Sequence, residues 1–361
     1  MHFKSLEKLK IKGYKSIVEC ELEMRRLNVL IGANGSGKSN FISFFRLIAA
    51  LLNERLQLFV SKSGGPDVLL HFGRKQTESL SGELYFGNNG YKFELEPTQD
   101  NRMMFADETL YWSMGGDFRI GSGHFETEAH KDKTPIKDFT LPVMRGWRVY
   151  HFHDTSDTAR VKQIHRINDN EYLREDGANL GAFLYRLQKH HSSHYQQIVT
   201  TLQMVAPFFG DFYLRPTSDN PDSIQLEWTE KDHDVPFKAS ELSDGTLRFM
   251  LLATVLLQPE EFMPGSIIID EPELGLHPYA IALLADLMNS CHKDHQLIIS
   301  TQSVDLISEF EIEDLIVADK KGAASTFKRF DAKEREYLQE WLEEYSVGEL
   351  WKKNLLGGRP Q

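Results

Sequence analysis

The chain has 361 residues, 41% hydrophobic and 26% charged, the profile of a globular protein with core enough for about two domains. Lys and Arg number 41 against 53 Asp and Glu, and the net charge of −12 argues against a protein that coats nucleic acid without regard to sequence. Two cysteines, Cys20 and Cys291, exclude a disulfide framework or a Cys-rich metal site. No apolar run reaches the ~18 residues of a membrane span and no leader is visible, so a cytosolic protein is expected.

In chain order, the first strong signal is "RLNVLIGANGSGKSNFISFF" (26–45). Leu27 to Ile31 reads as a buried strand and Asn40 to Leu52 as a helix with apolar residues at helical spacing. Between them, Gly32, Gly37, Lys38 and Ser39 fit the phosphate-binding P-loop pattern. Glycines let the backbone turn with N–H groups facing inward, and those groups join the helix N-terminus in an anion site. Asn34, Gly35, Ser36, Gly37, Lys38, Ser39 and Asn40 are therefore expected to bind nucleotide, with Lys38 on the β- and γ-phosphates and Ser39 on Mg²⁺. Upstream, Tyr14 and Lys15 in "GYKS" are candidates for the adenine side.

Residues 1–100 read as strands around this one helix. Residues 101–240 form an insert: "RGWRVYHF" (145–152) is strand-like, and 177–191 and 194–209 read as two helices of ordinary length. Neither carries a seven-residue repeat, so no coiled-coil arm is expected. "RVKQIHR" (160–166), with "RGWR" (145–148) and "KHH" (189–191) behind it, is the best local basic patch for DNA, against the more ordinary reading of a solvated face or a phosphate-side contact within the nucleotide site itself. The histidines of "HFH" (151–153) lack a matching metal framework.

Residues 241–361 hold the remaining motifs. In "SELSDGTLRFMLLATVLL" (240–257), Ser243 and Gly245 open a strongly apolar helix, with Asp244 expected to cap it. In "GSIIIDEPELGLHP" (265–278), Ile267 to Ile269 is a β-branched run that delivers Asp270 and Glu271 at its carboxyl end. Paired carboxylates there fit a metal-shell Asp270 and a water-orienting Glu271. "QLIIST" (296–301) is a second strand leading into Gln302. Beyond it, Leu338, Trp341, Leu342 and Tyr345, then Leu350, Trp351, Leu355 and Leu356, recur at helical spacing, either to seal the core or to dock a partner.

Together these motifs resemble the ABC-type ATPases of the RecF/SMC/OLD group, in a compact form without coiled-coil arm or nuclease domain. The resemblance runs almost end to end: "LKIKGYKSIVECEL" (9–22) is similar to the opening strand pair, "GANGSGKS" to Walker A, "LSDGTLR" to the signature, "IIIDEPELGLHP" to Walker B and the D-loop, and "STQS" to the switch. It implies an α/β fold: a P-loop ABC-type head with a mixed central sheet, N-terminal antiparallel strands and a small helical insert. It implies a Mg²⁺-dependent ATPase in which Lys38 and Ser39 bind phosphate and metal, Asp270 belongs to the metal shell and Glu271 is the general base. Ser243 and Gly245 act across a homodimer formed on ATP binding, and Gln76 is the candidate Q-loop ligand near the metal. Gln302 stands where a histidine usually senses the γ-phosphate, and a glutamine cannot carry a proton.

The stretch past Thr301 is expected to be too short for a nuclease domain, so output in DNA repair or antiviral defence would pass to a separate nuclease or toxin-like effector. A non-hydrolysing structural module and a transporter motor are the competing readings. The interval from Lys38 to Ser243 is about twice a transporter motor's, which disfavours the latter.

Overall fold

A computed structural model describes residues 5–293 and 295–358. The chain divides into two compact units, one of Met1–Val149, Gly265–Ile268 and His295–Gln361, the other of Tyr150–Pro264 and Ile269–Asp294.

In the first unit, Leu27–Ile31 is buried at every position, as a strand covered on both faces must be. It lies in a six-stranded mixed sheet ordered Ala324–Lys328, Leu315–Lys321, Leu27–Ile31, Gln296–Thr301, Ser266–Asp270, Trp147–Tyr150. Gln296–Thr301 pairs with it in parallel, Thr301 opposite Ile31, and Leu315–Lys321 does so on the other side. The polar intruder, Asn28, is satisfied: its amide donates to the carbonyls of Arg25 (2.7 Å) and Leu297 (3.1 Å).

A second six-stranded sheet, antiparallel throughout, runs Ile17–Glu23, Lys8–Tyr14, Leu80–Phe86, Asn89–Pro97, Met103–Trp112, Gly116–Gly121. Leu9 and Ile11 face the core, while the alternate Lys8, Lys10 and Lys12 form cross-strand ion pairs with Glu21 and Glu19. The helix Lys38–Leu52 reaches both sheets through its aromatic face. Phe44 stacks on Phe93 of the antiparallel sheet, and Phe41 and Phe45 meet Phe327 and Trp147 of the mixed one. All these residues except the half-buried Phe327 are buried in one apolar cluster, whose burial fixes the P-loop's base rigidly.

The tail belongs to this unit. Helices Ala332–Leu342 and Val347–Lys352 each open with a capping box, Asp331–Glu334 and Ser346–Glu349. Leu338, Leu350, Trp351 and Leu356 are buried, so of the two readings of the apolar stripe, sealing the chain's own core holds for these four. Trp341 and Leu355 stay 37% and 39% exposed.

The second unit is built on helices Leu180–His190, Ser192–Val205, Asp244–Leu257 and Pro278–Cys291. Asp244–Leu257 is apolar almost all round because Ser192–Val205 and Pro278–Cys291 both pack against it. A small sheet of Phe209–Phe212, Glu227–Glu230 and Pro236–Lys238 is held by Phe209, Trp228 and Phe237, whose rings stack in sequence. No described helix exceeds 15 residues, and none is long and apolar enough to cross a membrane.

Candidate nucleotide site

The first unit carries the P-loop and Gln302. Because Ile31 and Thr301 are register partners in parallel strands, Gly32 and Gln302 leave the sheet side by side. The loop's tip, Asn34 and Gly35, is exposed, as is Ser39, whereas Lys38 is buried. The Lys38 ammonium donates to the carbonyls of Gly32 (2.7 Å) and Ala33 (3.2 Å), curling the loop around itself. Ser36 Oγ is buried without a hydrogen-bond partner among the described residues, a polar atom that a phosphate oxygen would satisfy. These features fit a phosphate cradle.

Behind the loop lies a hydroxyl cluster that local patterns did not flag. Asn40 Nδ2 donates to Ser16 Oγ and Ser325 Oγ donates to the same atom, each at 2.7 Å. Gly37, at φ 109°, lies so close that an added Cβ would come 2.2 Å from Ser325 Oγ. Tyr14 does not face outward toward a base. It is fully buried, its hydroxyl 2.8 Å from Ser43 Oγ, and burial pushes its phenol pKa upward. Lys15 Nζ donates to the same Ser43 (2.7 Å); burial, then the Arg46 charge, lower its pKa. Gln76 sits in an exposed turn ahead of Leu80–Phe86, its N–H on Gly73 O at 3.1 Å.

The second unit carries Ser243, Gly245, Asp270 and Glu271. Ser243, not Asp244, caps the helix: its Oγ accepts from Thr246 N at 3.1 Å, and Asp244 is the first helical residue. A serine in extended conformation reaches the third N–H, and Asp244 then complements the helix dipole from the first turn. Gly245 packs directly on the turn at Gly275, the segment expected to be the D-loop, where a Cβ would stand 2.3 Å from Gly275 O. Asp270 ends its strand, and Glu271 follows in the left-handed region at φ 46°. A non-glycine residue held there stores strain of about 1–3 kcal/mol, which marks functional positions.

Arg248 and His153 were not read as site residues, yet both surround this turn. Arg248 donates to the carbonyls of Phe152 (2.9 Å), His153 (3.0 Å) and Leu274 (2.7 Å), and His153 Nε2 lies 3.0 Å from Asp270 O. The basic patch is largely consumed locally. Arg160 pairs with Asp176, Lys162 is buried on Thr155 O, Arg148 holds the carbonyls of Arg145 and Trp147, and His191 faces Glu261.

A P-loop following a central strand of a mixed sheet fits the nucleotide-binding ATPase class that the family matches show, with no coiled coil among the described residues. The chain belongs to the family described as "AAA domain, putative AbiEii toxin, Type IV TA system", which matches residues 117–308, and residues 5–110 match "AAA ATPase domain". The fold is similar to the crystal structure of an Smc head bound to the C-terminal winged-helix domain of ScpA (TM-score 0.61, 15% identity, 91% of this chain and 99% of that one). It is also similar to the Smc head with an extended coiled coil bound to the C-terminal domain of ScpA from Pyrococcus furiosus (0.60, 13%, 94% and 99%). A third similar structure is the Smc head with a coiled coil and joint from Pyrococcus yayanosii (0.54, 12%, 94% and 99%). No curated protein sequence matches the chain.

Proposed function

We propose that this ATPase is a Mg²⁺-dependent, ATP-driven dimeric switch that governs a separate effector in DNA repair or defence against foreign DNA. Lys38 would hold the β- and γ-phosphates in place of its loop carbonyls, and Ser39 and Asp270 would hold the metal, with Gln76 the weakest candidate ligand. Bound Mg²⁺ supplies charge neutralisation on the phosphates. Glu271 orients and deprotonates the attacking water, and Gln302 hydrogen-bonds the γ-phosphate side without taking a proton. The observation that carries the reading is Ser243. It caps an exposed helix N-terminus whose start is wedged on the D-loop, a surface suited to the nucleotide of a second copy.

The family description names a toxin system, which supports a place in a toxin-type system; a separate nuclease or toxin-like effector is this proposal's own addition. The proposed place of action is the cytoplasm, with DNA at most a modulator through the exposed remainder of the basic segment. One incubation tests this: purified protein with Mg²⁺ and ATP, with and without DNA, scored for phosphate release and for DNA integrity. ATP turnover abolished by Lys38→Ala, with intact DNA, is expected. A protein that binds ATP and never turns it over would establish the non-hydrolysing module instead, the reading that Lys38, Ser39, Asp270 and Glu271 together argue against and Gln302 keeps open.

A further inference from the structure

The peptide between Asp270 and Glu271 is where the chemistry of the proposed site is aimed, and a histidine holds it. His153 lies just past the strand Trp147–Tyr150, in the second unit with Asp270 and Glu271. Its Nε2 is 3.0 Å from the Asp270 carbonyl oxygen. A carbonyl only accepts, so Nε2 carries the hydrogen in either protonation state of the ring. The neighbouring ring of His151 packs at 4.0 Å between centroids, and Phe152 between them is buried.

The backbone of this histidine is itself fixed. Arg248, on the signature helix, donates Nε to Phe152 O and Nη2 to His153 O, and its Nη1 reaches Leu274 O in the D-loop. Phe152, His153, Arg248, Asp270 and Glu271 line one small cleft. The result is a brace running from signature helix to histidine to strand end, with a second arm to the D-loop.

Glu271 makes the brace consequential. Its φ of 46° is reached by rotating about the bond that follows the Asp270 peptide. A freed Asp270 carbonyl lets that peptide plane tilt and relieves the strain, swinging the Glu271 side chain away. We propose that His153 is a positioning residue of this ATPase, which, braced by Arg248, locks the Asp270–Glu271 peptide and so aims the Glu271 carboxylate. The inference rests on the role proposed above for Glu271. It places a histidine in the site of a chain whose switch position is Gln302, and it ties the signature helix to the carboxylates by direct hydrogen bonds.

Three variants of the full chain test it. His153→Ala should lower kcat about 10- to 100-fold, the scale of a misplacement near 1 Å, with the KM for ATP within about twofold. His153→Gln, whose amide N–H reaches the same carbonyl, should restore most of kcat; the shorter His153→Asn should not. Hydrogen exchange on nucleotide-free protein gives a readout independent of turnover: His153→Ala should speed exchange across 270–276 and leave 27–45 unchanged. Wild-type kcat in a folded His153→Ala, a His153→Gln as slow as the alanine variant, or unchanged exchange across 270–276 would overturn the proposal. Absence of turnover in the wild type would instead defeat the ATPase role of Glu271, and the exchange arm would still judge the brace.

Discussion

The backbone N–H of Ala33, the second residue of the P-loop, donates to the carbonyl of Gly358 at 2.7 Å. The tail therefore returns across the unit to close on the loop. Gly358 is at φ 78°, and a Cβ there would stand 3.1 Å from Val317 Cγ1, 3.3 Å from Ala318 O and 3.4 Å from Gly32 Cα. Gly358→Ala should cost about 1–2 kcal/mol of left-handed strain and weaken ATP binding by loosening Ala33. Calorimetric melting and nucleotide titration read the two effects; unchanged values in both would show the contact to be idle.

Glu271→Gln should bind ATP with near wild-type affinity and lose about 10²- to 10⁴-fold in turnover, because the positioned base goes while the cradle remains. Lys38→Ala should show the opposite pattern, losing affinity first. Equal turnover in Glu271→Gln and wild type would refute the general-base assignment.

Ser243 serves its own helix and, by proposal, a second copy, and two substitutions separate these roles. Ser243→Ala removes the cap and should cost about 0.5–2 kcal/mol of stability. Ser243→Arg, in a Glu271→Gln background with Mg²⁺ and ATP, should abolish the heavier species seen by sedimentation. If no heavier species forms with nucleotide, the dimeric switch is wrong.

Leu350 is a fully buried residue of the last described helix, Val347–Lys352. Leu350→Ala should destabilise the protein by about 2–5 kcal/mol, as truncation in a packed core does. A melting temperature within a degree of wild type would return this part of the tail to the role of a docking surface.

Burial, with a smaller push from Glu21, raises the Cys20 thiol from 9.0 to about 12. Between those values the unfolded thiol ionises and the native one keeps its proton, so the unfolded state binds fewer protons and stability falls as pH rises. Below pH 9 this contribution is fully present. Cys20→Ser or Cys20→Ala, compared with wild type in denaturant titrations at pH 8 and 10.5, should show a smaller loss between the two pH values. An identical loss would assign the alkaline sensitivity to other groups.

The strands Leu27–Ile31 and Gln296–Thr301 and the start of the helix Asp244–Leu257 were legible in the sequence because each is signalled within one short window. Short runs rich in apolar and β-branched residues, a glycine-rich turn and an N-capping serine act through local geometry alone. The same locality misled at Asp244, where cap and first-turn residue are adjacent polar residues of similar propensity. Their roles were settled by which oxygen reaches Thr246 N.

The sequence by itself determined the ATPase class and put the glycine-rich loop and the Asp270–Glu271 pair forward as its candidate site, since these are contiguous motifs whose expected chemistry follows from residue order. Only the tertiary structure decided what supports them. His153 meets Asp270 across 117 positions, Ser16 meets Ser325 across 309, and Gly358 meets Ala33 from the far end of the chain. Such contacts depend on strand order and on which unit each segment joins, and no periodicity within a window encodes either. A histidine beside a strand looks ordinary in the sequence until the neighbouring strand is known to end in Asp270.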